Sequence, residues 1–249
     1  MTTLNFPVSQ SLFKCWQELW IRGYFKFILP RIAETTLEGI RLDLSRLSLK
    51  VRNRVLNVGY EEAERKMARD FLSPNDSVLE IGGAIGFIGL FCQKKIGIKH
   101  YITVEANPQT VEMLKRNYAL NRIEPEIWNL ALGRENGTVE LNISGDFWEN
   151  SIVTPGSSGS SDMIQVPSAT FQTLLEKANR KINVLIVDIE GAEQFIDFDQ
   201  IPASIDKIII ELHPQCIGQE MTYNLIARII GNGFRVARED NLTFAFLRK

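Results

Sequence analysis

The sequence predicts an α/β fold, a mainly parallel sheet with helices on both faces, preceded by an N-terminal helical and aromatic extension. Three observations carry this. From Ser77 onward short apolar strands alternate with helical stretches, a pattern that builds parallel strands through crossovers. One strand, Asn183–Ile189, is an unbroken apolar run, as expected of a strand buried on both faces. At 249 residues the chain suits one such domain with an added segment.

The elements follow in order. Ser9–Ile32 reads as a helix with Phe13, Trp16, Leu19, Trp20, Tyr24, Phe27 and Ile28 among its apolar positions, broken or kinked at Pro30. Gly39–Leu49 alternates like a strand, with Ile40, Leu42 and Leu44 on one face. Glu61–Phe71 reads as a helix that stops before Ser73-Pro74-Asn75-Asp76. Strand one is Ser77–Ile81, followed by a helix over Phe87–Lys95. Strand two is Tyr101–Glu105, and a helix with Pro at its start covers Pro108–Leu120. Strand three is Glu126–Leu132, and Thr138–Ile143 is an inserted strand. Pro155–Asp162, PGSSGSSD, is a flexible low-complexity stretch. A helix at Phe171–Ala178 leads to strand four, Asn183–Ile189. Strand five is Ile205–Leu212, followed by a helix at Glu220–Ile230. Phe234–Arg238 and Leu242–Leu247 close as an antiparallel pair around Glu239-Asp240-Asn241. The organisation is an extension over 1–57, helix plus short strand and a candidate lid, then one domain over 58–249.

The most informative stretch runs from Ser77 to Asn107, SVLEIGGAIGFIGLFCQKKIGIKHYITVEAN. It reads as a short apolar strand ending in Glu80, a glycine turn, a helix, a second strand, and an acid, Glu105, at that strand's tip. Such a unit cradles a nucleoside-bearing cofactor, with a carboxylate about twenty residues past the glycines to accept both ribose hydroxyls. Gly82 and Gly86 let backbone approach a ligand where a Cβ would clash. A dinucleotide fingerprint starting at Gly82 would need glycines where Ala84 and Phe87 stand, so it fails. The spacing is E-x-G-x-x-x-G, Glu80 to Gly86. S-adenosylmethionine carries no pyrophosphate and needs acids near an ammonium group and a ribose, for which Glu80 and Glu105 are the candidates. The bland alternative is a buried βαβ unit with a tight turn.

In open α/β sheets the ligand lies outside the carboxyl ends of the strands. Those ends carry Glu80, Glu105, Asn129-Leu130-Ala131-Leu132, Asp188-Ile189-Glu190-Gly191 and Glu211-Leu212-His213-Pro214. Polar groups thus gather at one rim of an apolar sheet. The formal net charge of -2 gives no reason to expect nucleic acid as the main partner. Cys15, Cys92 and Cys216 lie far apart with no C-x-x-C, which suits a reducing cytoplasm rather than disulfides or structural zinc. No apolar run is long enough to span a bilayer, and no signal peptide is read.

VLEIGGAIG, VEANP, NLALG, LIVDIEGAE and IIIELHP, in this order, resemble the FkbM-type S-adenosylmethionine-dependent methyltransferases. The match covers roughly Tyr60 to His213. It implies a class I methyltransferase (Rossmann-like) fold with a mainly parallel seven-stranded sheet, and methylation of a hydroxyl on a small molecule, such as a sugar, polyketide, peptide or other natural product. By resemblance Gly82 and Gly86 line the cofactor, Glu105 holds the ribose, and Asp188 with Glu190 sits at the reaction end. The family turn is usually D-x-G-A-N-x-G; here Glu80, Gly83 and Ala84 replace Asp, Ala and Asn. The candidate cofactor residues are Glu80, Gly82, Gly83, Gly86, Glu105, Ala106, Asn129, Ala131 and Asp188.

Methyl transfer needs alignment and removal of the acceptor's proton. Asp188, His213 and Glu190 are the catalytic candidates. The bland alternatives are a turn residue for His213 before Pro214 and a helix N-cap for Asp188. Asp188, Glu190, Glu211 and His213 also suit a hard cation, magnesium or manganese, since period-two spacing on adjacent strand ends can aim them at one point. Against this, Glu190 and Glu193 flank a helix start, where acids are favoured anyway. The N-terminal aromatic segment packs on the core, covers the acceptor pocket, or touches a membrane surface, in that order. The partners are a small-molecule acceptor and, as an open option, a second copy in a homodimer. N-methylation, a non-catalytic nucleoside-binding module and a nicotinamide dehydrogenase are the competing functions.

Overall fold

The computed structural model describes residues 23–56, 59–143, 151–152 and 163–249. An antiparallel hairpin of β1 (Glu34–Leu37) and β2 (Ile40–Asp43) precedes two helices, α1 (Leu49–Leu56) and α2 (Glu62–Phe71). Next come β3 (Ser77–Ile81), α3 (Phe87–Phe91), β4 (His100–Val104), α4 (Pro108–Leu120) and β5 (Glu126–Trp128). A side sheet then intervenes, made of β6 (Ala131–Leu132), β7 (Gly137–Asn142), β8 (Ser151–Ile152) and β9 (Met163–Ala169). The chain returns through α5 (Phe171–Ala178), β10 (Val184–Val187), β11 (Lys207–Glu211), α6 (Pro214–Ile217) and α7 (Gln219–Gly231). It ends with β12 (Phe234–Asp240) and β13 (Thr243–Arg248).

The central sheet has seven strands in the order β12-β13-β11-β10-β3-β4-β5. β5, β4, β3, β10 and β11 run parallel, and β13 pairs antiparallel with both β11 and β12. The strand order reverses between β3 and β10, which makes that seam the topological switch point where a crevice opens. This is the mainly parallel, Rossmann-like sheet that the sequence predicts.

The period of two sorts the core into two layers. Val78, Tyr101, Val184, Ile186 and Ile209 face one layer, with Phe87, Phe91, Leu114 and Tyr118. Leu79, Ile102, Leu185, Val187, Ile208 and Ile210 face the other, with Leu174, Leu225 and Phe246. Each fully buried aliphatic or Phe side chain contributes about 1.5–3 kcal/mol. Ile40, Leu42 and Leu44 join the first layer at 0% exposure, so the hairpin is fastened to the sheet domain. Asn117 and Asn121 fasten it further. Their Oδ1 atoms accept the Asp43 and Arg41 backbone N–H groups at 2.7 and 3.0 Å.

Several elements differ from expectation. Strand three is not one strand. Leu130 N–H turns back onto Trp128 O at 3.0 Å, and Ala131–Leu132 leaves to pair with β9 in the side sheet. The helix after the glycine turn widens into a π turn over Cys92–Ile96 and stops at Gly97, φ 89°. β1, α1, β8, β9 and α6 are five elements that the pattern did not suggest; β9 holds Pro167, which reads as a breaker. Of the N-terminal aromatic stretch, Tyr24–Ile28 forms a π turn and Leu29–Arg31 a 3-10 turn that begins around Pro30. Residues 1–22 and the 155–162 stretch lie outside the described residues. No helix among the described residues is long and apolar enough to cross a membrane.

Candidate functional site

A cavity of about 660 Å³ opens over the carboxyl ends of the parallel strands. One end is the glycine turn. Gly82 N–H continues the sheet by donating to Val104 O at 2.9 Å, and the chain then turns into Phe87–Phe91. Glu105, just past β4, stands beside this turn. Its Oε2 accepts the Ala84 N–H at 3.1 Å and its Oε1 accepts the Asn107 N–H at 2.8 Å. Burial raises its carboxyl to about 7, against the pull of those amides. Asn129 steadies the same loop from behind, donating to the carbonyls of Glu105 and Ala106 at 2.9 Å each.

The glycines are there for packing as well as for access. A Cβ on Gly82 would stand 1.7 Å from the Asp188 carbonyl oxygen, and its φ is +93°. The seam between β3 and β10 therefore closes only on glycine. Gly83 has Thr103 Cγ2 where a Cβ would be, at 2.1 Å, and Gly86, φ +81°, has Tyr118 at 2.9 Å. Ala84 adopts φ +44°, a left-handed conformation in which an L side chain is strained.

The other end is a cluster around His213, which is 3% exposed. Its Nε2 lies 3.6 Å from Asp188 Oδ1, 3.6 Å from Glu190 Oε1 and 4.0 Å from Glu211 Oε1. Behind the ring, Glu193 Oε1 is 3.5 Å from Nδ1 and accepts the His213 backbone N–H at 2.9 Å. Gly191, φ +88°, turns the chain so that Glu190 and Glu193 both come round to the ring. Glu64 completes the rim, with its Oε1 accepting from Thr243 Oγ1 at 3.0 Å. So many acids in one place raise one another. Burial and the charges of Glu64 and Glu190 lift Asp188 to about 7, against the pull of His213. Burial, with Asp188 and Glu64, lifts Glu211 to about 8. Burial alone would lower His213, but Glu193, Asp188 and Glu190 outweigh it and hold the imidazole at about 9.

Gly82, Glu105, Ala106, Ala131, Asp188, Glu190, Glu211 and His213 all line the one cavity. Glu80, Gly83, Gly86 and Asn129 do not. Glu80 shares the face of Val78 because strand alternation puts it there, so it points under the helix and not out at the tip. It is 2% exposed, accepts from Thr103 Oγ1 at 2.7 Å, and is lifted to about 8 by burial. Gly89 leaves room above it, since a Cβ there would stand 3.3 Å from Glu80 Oε2 and 2.2 Å from the Tyr118 hydroxyl. The expectation that Glu80 faces a ligand's ammonium group is thereby corrected.

Sequence reasoning missed Tyr60, Glu61, Glu64 and, as part of the cluster, Glu193. Tyr60, Glu61 and Glu64 reach the cavity from the Gly59–Glu64 turn and helix start. Glu61 sits at φ +46°, and its buried Oε2 finds no hydrogen-bond partner. The acid pair in YEEAERK reads as an ordinary helix start, so only its position over the strand ends reveals it. Glu193 has the same disguise.

The family model of the methyltransferase FkbM domain matches residues 80–235 of this chain. Among solved structures, the chain resembles the methyltransferase FkbM of Methylobacillus flagellatus KT at 13% identity, covering 71% of this chain and 44% of that one, TM-score 0.44. It resembles a putative caffeoyl-CoA O-methyltransferase from Staphylococcus aureus at 14% identity, 79% and 87% coverage, TM-score 0.48. The ribosomal protein L11 methylase of Lactobacillus delbrueckii subsp. bulgaricus aligns at 14% identity, 75% and 76% coverage, TM-score 0.47. No curated protein matches. With the domain match spanning more than half of the chain, this protein belongs to the FkbM family of S-adenosylmethionine-dependent methyltransferases.

Proposed function

We propose that the protein methylates a hydroxyl of a small-molecule acceptor. The observation that carries this is the single cavity that joins the glycine turn and Glu105 to the Asp188–Glu190–Glu211–His213 cluster. Glu105 holds the ribose of S-adenosylmethionine while its other contacts keep the turn in place. Glu61, with an unpartnered buried oxygen on the cavity wall, takes the ammonium role that Glu80 cannot fill. The acceptor lies over the cluster. Its oxygen forms a bond to the methyl carbon, the carbon–sulfur bond breaks with its electron pair left on sulfur, and the hydroxyl proton passes to a carboxylate of the cluster.

The wall carries the acids Glu61, Glu62, Glu64, Glu105, Asp188, Glu190, Glu211 and Asp240 beside the bases Arg54, Lys66 and His213. With acids outnumbering bases, this lining offers a polyanion few partners, which argues for a neutral acceptor and against nucleic acid. Arg54 brings the end of the 1–57 extension to the wall, in support of its role beside the acceptor. A cytoplasmic setting rests on the scattered cysteines, of which Cys92 is buried and Cys216 exposed, both free.

The test is transfer of label from S-adenosylmethionine to a panel of polyols, sugars and hydroxylated natural products, beside amines and transfer RNA. Label on hydroxyl compounds alone is expected. Label confined to amines or RNA would overturn the choice of acceptor.

A further inference from the structure

We propose that Asp188, Glu211 and His213 form a binding site for one hard divalent cation, magnesium or manganese, at the acceptor end of the cavity. Its catalytic use rests on the methyl-transfer reading; its existence does not. The three side chains offer one ligand atom each, and these atoms lie within 4.8 Å of one another. Nε2 of His213 stands 3.6 Å from Asp188 Oδ1 and 4.0 Å from Glu211 Oε1. Those separations are too long for hydrogen bonds. They suit two ligands of one ion, because at metal–oxygen distances of about 2.1 Å two ligands stand about 3–4 Å apart.

The imidazole supplies a second, independent observation. His213 is 3% exposed, and its buried Nδ1 makes no hydrogen bond. Its Nε2 faces the carboxylates of the cavity. Behind the ring, Glu193 is 0% exposed, lies 3.5 Å from Nδ1 and accepts the His213 backbone N–H. A carboxylate 3.5 Å from the far nitrogen, with a ligand set at the near one, is close to the outer-shell arrangement that orients a metal-binding histidine, and an ion at Nε2 would draw the Nδ1–H onto Glu193. Two carboxylates to one imidazole, with no thiolate, favour a hard cation over a soft one. The Cys216 thiol is engaged with Glu190 instead. Asp188 and Glu211 remain 35% and 34% exposed, so an ion can enter from the cavity and keep open positions.

This assignment divides the labour within the cluster. With Asp188, Glu211 and His213 on the cation, Glu190 is the carboxylate of the cluster left off the ion, its Oε2 toward the Cys216 thiol and its Oε1 placed to take the acceptor's proton. The cation supplies a Lewis acid that makes the acceptor hydroxyl more acidic, and it is neither oxidised nor reduced. Bond making at the methyl carbon and loss of the thioether are unchanged.

The test uses the full chain saturated with S-adenosylhomocysteine and titrated with manganese, read as loss of the free-ion electron paramagnetic resonance signal. One ion per chain is expected, with Kd at or below about 1 mM and displacement by magnesium. Glu211→Gln, of the same shape, should abolish the site. Glu193→Gln should weaken it by about 10–100-fold, the effect of losing an outer-shell partner. Calorimetry with S-adenosylhomocysteine checks that each variant keeps its nucleoside pocket. If Glu193→Gln does not fold, Glu211→Gln and magnesium competition on the wild type decide. Nucleoside binding without manganese binding, or unchanged manganese affinity in Glu211→Gln, overturns the cation site and leaves the methyl-transfer reading standing. Manganese binding without nucleoside binding does the reverse.

Discussion

The two ends of the cavity are built in different ways. At the cofactor end, the turn from Gly82 to Gly86 and the acid Glu105 come from one continuous stretch of chain. They are tied to each other by backbone, with Glu105 accepting the Ala84 N–H. At the acceptor end the groups come from three stretches remote in sequence, Glu64, Asp188 with Glu193, and Glu211 with His213, and meet mainly through side chains. The first end is held by covalent proximity and ladder hydrogen bonds. The second is held by the sheet beneath it, against mutual repulsion of its carboxylates. The first should therefore respond to mutation through shape, the second through charge.

The largest effect should fall at the acceptor end. Asp188→Asn keeps shape and removes charge, and turnover should fall by about 10²–10⁴. Calorimetry should show cofactor affinity within about tenfold of wild type, since 1.4 kcal/mol separates those limits. A variant with normal turnover would remove Asp188 from the chemistry.

Next comes the seam where the two ends meet. Gly82→Ala puts a methyl group 1.7 Å from the Asp188 carbonyl oxygen at φ +93°. Urea unfolding should show a loss of about 3 kcal/mol or more, from strain and overpacking together. A stable Gly82→Ala protein that loses cofactor affinity would show that this glycine serves the ligand and not the seam.

Glu105→Ala should weaken S-adenosylmethionine binding by about 1.5–3 kcal/mol, the range for hydrogen bonds to a charged group. It also releases the Ala84 amide, so a small drop in thermal stability should accompany it. Unchanged calorimetric affinity in a folded variant would place the ribose elsewhere.

A smaller effect separates Glu80 from the acids of the cavity. Its carboxyl rises from 4.5 to about 8 on folding. The folded chain therefore binds more protons than the unfolded one between those values. Stability from this group is full below pH 4.5 and is lost as pH rises toward 8. Thermal melts of Glu80→Gln, compared with wild type across that range, should show a flatter decline and unchanged cofactor affinity. Parallel curves would mean that Glu80 is not protonated by burial.

The smallest effect lies at Ala84. Glycine relieves its left-handed backbone, and Ala84→Gly should raise stability by about 0.5–1 kcal/mol, the strain relieved less the entropy lost. A destabilised variant would show that this φ carries no strain.

Much of this molecule is written in local pattern. The alternation after Ser77, the unbroken run before Asp188 and the closing pair around Asn241 determine the strands. The glycine turn with an acid at the next strand tip determines where a nucleoside belongs. These are readable because side-chain direction along a strand has a period of two and because tight turns demand glycine. The sequence places Asp188, Glu211 and His213 on one rim for the same reason. It does not reveal that Glu80 lies beneath the rim, since an acid next to a strand end belongs to the core or the crevice according to which face its parity selects. Nor does it reveal that Glu61, Glu64 and Glu193 belong to the site, because acids at helix starts look alike whether they meet water or one another. Only the packing of the 59–64 turn over β11 and β13, and the Gly191 turn beside His213, bring those charges within a few ångströms of each other. Ion-pair geometry depends on distance through space, and distance through space between remote elements is what a linear pattern does not carry.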